Sequence, residues 1–289
     1  MARVELETVI PPPRLRPFVR RYLYSSRPLK TEAVFHGKPT GYACLSSFFG
    51  QARTRRGSIN GRPFNRFSRC FLFGQITDQE VRLYQPASGL LVAELAATGH
   101  HRLFGIDGRR ILGLAAALDD AAPAQASIAS QCFRLGDSAS RAEHVAEANA
   151  FFTRVAQSAL PADPSVEQAV RLLEASNGTI RIGEICRRLG IDRRRLNRGF
   201  TRIVGLTPKF FGRILQINRV VDLLHSNDLA ELAQIAQEAG FYDQAHFNHA
   251  MRRFFNQPPR EFVRSRHHDF QPSHAGFRRM APPPSPPPQ

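Results

Sequence analysis

Ten residues of this chain occur twice. IGEICRRLGI, residues 182–191, is matched fifty positions later by LAQIAQEAGF, residues 232–241. Ile182, Ile185, Cys186, Leu189 and Gly190 face Leu232, Ile235, Ala236, Ala239 and Gly240. One residue is then inserted in the second copy, and the match continues at an offset of 51. Asp192 faces Asp243, Leu196 faces Phe247, Asn197 faces Asn248 and Phe200 faces Met251. Beyond them Gly205 faces Asn256, Pro208 faces Pro259 and Phe211 faces Phe262. Whatever this region folds into, it must contain one small unit twice.

The repeated positions say what that unit is. Apolar residues at i, i+3, i+4 and i+7 bury one face of a helix. The small residue, Cys186 or Ala236, lets a following helix cross closely. Gly190 and Gly240 stand where the chain leaves that helix and needs a left-handed residue to turn sharply. Asp192 and Asp243 can cap the next helix by accepting from its free N–H groups. Leu196 with Phe200, and Phe247 with Met251, anchor that helix at i, i+4. Gly205 ends it, Asn256 being among the few other residues that tolerate the left-handed region. The proline three residues on starts another helix. Helix, tight turn, helix is the motif that lays its second helix in the DNA major groove. About seven helices are predicted over residues 165–266, with Ser165 as the cap of the first, VEQAVRLLEAS, and no strand within 182–262.

The segments LGIDRRRLNRGFTRIVGLTPKFF and AGFYDQAHFNHAMRRFFNQPPREF carry a resemblance. Residues 165–266 look like the DNA-binding domain of the AraC/XylS family of bacterial transcription regulators. The resemblance implies two helix-turn-helix units joined by a long helix, here Lys209–Leu224, that read successive major-groove faces about one turn apart. It also implies double-stranded DNA and RNA polymerase as partners, and leaves a small-molecule effector and a homodimer open.

With Leu196, Phe200 and Ile203 turned inward, Arg194, Asn197, Arg198 and Thr201 share the outward face of the first reading helix. Arginine matches guanine O6/N7 and asparagine matches adenine N6/N7, so this stripe can read bases. The family's base-contacting positions fall on Arg194, Asn197 and Arg198. Arg193, Arg195 and Arg202 flank the stripe and suit phosphates, which position without specifying. The second helix presents Gln244, Ala245, Asn248 and His249, with Arg252 and Arg253 behind them on the backbone. Here the chain departs from the family: His249 stands where arginine is usual and Met251 where phenylalanine is usual. Gln216 and Val220 replace the more usual arginine and alanine of the joining helix.

Charge agrees with a polyanionic partner. The chain has a net charge of +16, and residues 181–213 alone hold ten basic and two acidic side chains. Residues 228–256 hold four acidic and two basic ones, so the two units differ in sign. The first unit is therefore expected to dominate affinity.

Nothing in the sequence asks for a cofactor or a metal. The four cysteines, Cys44, Cys70, Cys132 and Cys186, lie far apart with no CxxC spacing. Neither a disulfide framework nor a zinc knuckle is suggested. His246 and His249 have a metal-compatible helical spacing but no third ligand nearby. His100 and His101 are predicted beside a turn, where adjacent strand residues point to opposite faces. No signal-like or membrane-spanning apolar run is seen, so the expected compartment is the cytoplasm, without a membrane.

The rest of the chain reads as α+β. Residues 1–137 are predicted to form a β-rich, barrel-like domain for effector binding or dimerisation, from short segments such as CFLFGQI and LLVAELAATG broken by Gly, Asn and Pro. GHHRLFGIDGRRIL is read as more of the same, with a hairpin turn at Asp107-Gly108. The opening PPPRLRPFVRRYLY and this β-rich body resemble a front domain carried by some AraC/XylS members. Arg53, Arg55, Arg56, Arg62, Arg66 and Arg69 cluster around Gly57 and Gly61; an exposed loop is favoured over an anionic-ligand or DNA-backbone patch. The alanine-rich 138–162 is a predicted linker helix, 163–268 the DNA-binding domain, and 269–289 a proline-rich, disordered tail. No effector-binding residue is assigned. Two other readings stand beside an effector-modulated regulator: an enzyme with DNA binding appended, which would need a reactive cysteine or a metal cluster, and a non-sensing architectural DNA binder.

Overall fold

The computed structural model describes residues 6–26, 33–36, 40–49, 54–59, 62–67, 70–75, 80–83, 89–134, 139–226, 232–255 and 258–265. The tail 269–289, the turn residue Asn256 and the arginines Arg53 and Arg69 lie outside these residues.

Among the described residues the front half has ten strands: β1 (Glu7–Val9), β2 (Val19–Ser25), β3 (Ala33–His36), β4 (Cys44–Phe49), β5 (Thr54–Ile59), β6 (Arg62–Phe67), β7 (Cys70–Phe73), β8 (Glu80–Leu83), β9 (Gly89–Leu95) and β10 (Ala115–Ala117). They form two antiparallel sheets, ordered β1-β2-β9-β4-β7-β10 and β3-β8-β5-β6. Helices α1 (Gly99–Phe104), α2 (Leu118–Ala121), α3 (Pro123–Cys132) and α4 (Arg141–Ala156) complete it. Successive strand residues point to opposite faces, and both faces of the larger sheet are apolar. Leu45, Leu72, Leu91 and Leu95 meet Phe151, Phe152 and Val155 of α4 in one cluster. Phe48, Phe71, Phe73 and Leu90 form a second cluster on the opposite side. The helix expected over 138–162 is α4, closed by a capping box between Ser140 and Glu143. Its buried side chains belong to the front core.

Three expectations for the front half are corrected. GHHRLF is helix α1, not strand: His100, Leu103 and Phe104 are buried at helical spacing, and Gly105 at φ +70° stops the helix. His100 is fully buried with neither ring nitrogen hydrogen-bonded, and burial pushes its pKa down to about 3. Asp107-Gly108 is not a hairpin turn: the Asp107 carboxylate accepts from the Arg109 amide at 3.0 Å and caps a single 3-10 turn, Gly108–Arg110. The same residue type serves either purpose, so the dipeptide alone did not decide. The arginine-rich segment is not a loop, because β5 and β6 pair as a hairpin with Arg55 opposite Arg66.

Among the described residues seven helices follow: α5 (Pro164–Ala175), α6 (Ile182–Leu189), α7 (Arg193–Val204), α8 (Pro208–Ser226), α9 (Leu232–Glu238), α10 (Gln244–Phe255) and α11 (Pro259–Ser265). Among the described residues no strand interrupts 182–262. The cap of α5 is Asp163, not Ser165: its carboxylate accepts from the amides of Ser165 and Val166, and Pro164 fills the first helical position. A proline there needs no N–H partner, and the helix starts two residues earlier than expected.

The front half is locked onto the first part of the helical region. Pairing of β2 with β9 shifts register between Val19 and Arg21. Such a bulge puts two successive residues opposite one partner, and both Arg20 (3.0 Å) and Arg21 (2.6 Å) reach Glu94. Arg20 then extends to Glu174 of α5 at 2.9 Å, stacks over the Tyr42 ring at 3.8 Å, and the Tyr42 hydroxyl donates to the same Glu174 at 2.7 Å. Thr98 donates to Glu167 of α5 at 2.7 Å. Tyr42 and Ala97 belong to the core of the helical region, and Tyr42 meets Phe211 of α8 edge-on at 5.7 Å. The 3-10 turn lies so close to the end of α7 that a Cβ on Gly108 would fall 2.4 Å from the Gly205 nitrogen.

Candidate nucleic-acid interface

Each copy of the repeat builds the same object. In the first, α6 ends at Gly190 with φ +61°, and the Asp192 carboxylate caps α7 by accepting from the Arg195 amide at 2.8 Å. In the second, Gly240 has φ +79° and Asp243 accepts from the His246 amide at 2.7 Å. Ile185, Leu196, Phe200 and Ile203 are buried in one unit, and Ile235, Ala236, Phe247 and Met251 in the other. Pro208 and Pro259 open α8 and α11. The two glycines are not equivalent. A Cβ at Gly190 would meet nothing within 4 Å, whereas one at Gly240 would lie 2.4 Å from Thr179 Cγ2. Gly190 is needed for its backbone angle alone; Gly240 also lets the second turn press on the chain before α6.

The joining helix α8 is longer at both ends than the Lys209–Leu224 expected from sequence. Phe211, Ile214, Ile217, Val220 and Val221 bury its inner side. The two departures from the family pattern are absorbed there. Val220 is fully buried, and Gln216 donates to the Gly240 carbonyl at 3.2 Å, tying the joining helix to the second turn.

On α7 the side chains of Arg193, Arg194, Arg195, Arg198 and Arg202 are exposed, with Asn197 and Thr201 half-buried between them. None of these arginines makes an ion pair with a described residue, whereas Arg187 and Arg188 of α6 share Glu184. On α10 Gln244, Ala245, His249, Arg252 and Arg253 are exposed and Asn248 is half-buried. The fold thus brings each predicted set onto one helix surface. It also shows what the sequence reading missed. Tyr242, just before α10, is 94% exposed. Lys209 and Arg213 of α8 stand beside His246, His249 and Arg253 of α10. Burial first, and then the Arg213 charge, hold the His246 pKa below its ordinary 6.5. Among the described residues no three His, Cys, Asp or Glu side chains converge as metal ligands, and no helix is long and apolar enough to cross a membrane.

Residues 185–265 match the family model described as a helix-turn-helix domain. No curated protein matches the chain. A transcriptional regulator from Chromobacterium violaceum, of the AraC-type DNA-binding domain-containing proteins, is 31% identical over 36% of this chain and 94% of its own, with a TM-score of 0.32. ToxT from Vibrio cholerae is 13% identical over 84% of this chain and 97% of its own, with a TM-score of 0.45. Wild-type ToxT with an unsaturated fatty acid bound is 15% identical over 84% of this chain and 94% of its own, also at 0.45. The family model, and sequence identity over nearly the whole of the Chromobacterium chain, bear on the helical region. With its tandem units built as that family requires, the chain belongs to the AraC-type helix-turn-helix proteins and is a DNA-binding transcription regulator.

Proposed function

We propose that the chain reads two successive major-groove faces of an operator, α7 entering one and α10 the next. The observation that carries this is the pair of helices, each capped by an aspartate, anchored by buried apolar residues and left with an exposed polar stripe. Arg194, Asn197, Arg198 and Thr201 read bases in the first groove and Gln244, Ala245, Asn248 and His249 in the second. Arg193, Arg195, Arg202, Arg252 and Arg253 hold phosphates. The helical region from 163 onward is the DNA-binding domain, and the part before it is a regulatory domain that takes an effector or a second copy of the chain. Two features support regulation: the apolar second face of the larger sheet, and the joint through which Glu94, Arg20, Tyr42 and Glu174 reach the first unit. RNA polymerase in the cytoplasm is the partner such a regulator acts on, and no reaction is assigned to the chain. Titrating the operator at several salt concentrations tests the reading. With several arginine–phosphate contacts, log K falls steeply against log salt, by about 0.9 per contact; a flat dependence refutes it.

A further inference from the structure

The α8–α10 junction adds two cations, Lys209 and Arg213, that the reading helices do not supply, to His249 and Arg253 of α10. Thr207 just before α8, Lys209, Phe210 and Arg213 at its start, and His246, His249, Ala250, Arg253 and Phe254 from α10 line an open cleft of about 380 Å³. A second cleft of about 340 Å³ continues past Lys209, Arg213 and His246 to Arg181 and Arg193 of the first unit. Neither wall contains a carboxylate; the nearest acidic group acting on His246 is Asp243. Arg213 is the centre of this arrangement. Its Nη1 is buried and has no hydrogen-bond partner, and its guanidinium lies 5.5 Å from the Phe241 ring centre. Arg253 lies 5.3 Å from the Phe210 ring centre, so the two guanidinium groups flank the cleft on aromatic supports. The cleft also opens at the positive end of α8, a 19-residue helix whose first amides favour an anion.

A half-buried guanidinium with one buried, unpartnered nitrogen, beside a lysine and a second arginine and with no carboxylate on the cleft wall, is stabilised by an anion. The wall shared with His249 makes the cleft continuous with the second reading face. A strand that passes from one groove to the next while α7 and α10 are engaged must cross this junction. We infer that Lys209, Arg213 and Arg253 form a clamp for one backbone phosphate of the DNA between the two reading sites. The inference rests on the two-groove reading above and adds a contact that fixes the spacing of the units.

The test uses the full chain and operator duplexes carrying one neutral methylphosphonate at successive positions between the two contact regions. In the unsubstituted chain one such position should weaken binding by about tenfold, as expected for losing one well-placed ionic contact. Arg213→Gln should weaken binding to the ordinary duplex, lower the salt slope by about 1, and make that position no worse than its neighbours. Base preferences read by Arg198 should stay the same. Lys209→Gln, at an exposed site, repeats the test should Arg213→Gln melt early. An unchanged slope with no position-specific loss overturns the clamp while leaving the two-groove reading intact; a flat slope in the unsubstituted chain overturns that reading itself. Inorganic phosphate is the control for a free anion. If it raises the melting temperature of the chain but not of Arg213→Gln, and no methylphosphonate position stands out, the cleft is a small-anion site and the DNA assignment fails.

Discussion

The two helix-turn-helix units share one blueprint and differ in what surrounds it. The first is strongly basic, free of histidine, and held from behind by the front half through Tyr42, Glu174 and the contact between Gly108 and Gly205. The second is slightly acidic, carries His246 and His249, and leans instead on α8 through Gln216 and on Thr179 through Gly240. The repeat therefore fixes helix geometry, while the neighbours decide how firmly each helix is held and how strongly it draws DNA. Among the described residues the front half touches the first unit directly, and it connects to the second through α8 and through the chain between α5 and α6.

The largest effect should come from breaking the support of the first unit. Tyr42 is 6% exposed inside the helical core, so Tyr42→Ala should cost about 3–5 kcal/mol, the usual range for emptying an aromatic site. Tyr242, at 94% exposure beside the second unit, should lose almost nothing in stability on the same change. Urea melts of the two variants decide this; equal losses would show that the front half does not brace the first unit.

The turns give the next contrast. Gly190→Ala should cost about 1–2 kcal/mol, the penalty of a left-handed alanine. Gly240→Ala should add about 1–3 kcal/mol of overpacking against Thr179, and Thr179→Ser should recover part of it. Matching losses at the two glycines would mean that the chain before α6 yields freely.

DNA binding ranks third. Arg198→Ala should relax specificity at one base pair by about 1–3 kcal/mol. His249→Ala should cost less at pH 7.5, because neutral imidazole has one donor and one acceptor and cannot replace a guanidinium fork. His249→Arg should tighten binding. Operator titrations at one salt concentration check all three, and equal losses from the two alanine variants would put the units on a par.

The helical half was legible because its information is local and stated twice. Caps, glycines, prolines and apolar spacing all sit within one unit, and Asp192 and Asp243 stand at matching positions of the two copies. The front half depends on pairings between distant segments. β2 finds β9 some seventy residues away, and no local signal announces the bulge that turns Arg20 and Arg21 toward one glutamate. Helix α1 was missed for the opposite reason: six residues are too few for a helical period to stand out from alternation. The cleft was invisible for a third reason. Lys209 and Arg213 lie outside the reading stripes, and only the crossing of α8 and α10 brings them to His246 and Arg253.

The smallest effect separates the units by acidity. Residues 181–213 contain no histidine, so no imidazole on the first unit titrates near neutral pH. In the second, burial and the neighbouring Arg213 depress the His246 pKa, with Arg213, His249 and Lys209 outweighing Asp243. In the free chain His246 is therefore neutral at pH 7, and folding disfavours its proton. Its contribution to stability is full above the ordinary value of 6.5 and is lost as pH falls toward the depressed value. DNA reverses the sign for binding, because a nearby phosphate favours the protonated ring and raises its pKa in the complex. Lowering the pH from 8 to 6 should thus strengthen operator binding by about two- to fivefold, a fraction of one full ionic contact, while slightly lowering the melting temperature of the free chain. His246→Gln with His249→Gln should abolish the trend in binding, while His100, whose pKa burial pushes down to about 3, keeps a melting-temperature loss at low pH; Arg198→Ala should preserve both trends. If the doubly substituted chain keeps the pH dependence of binding, the titrating group lies elsewhere and the second unit is not the acid-sensitive one.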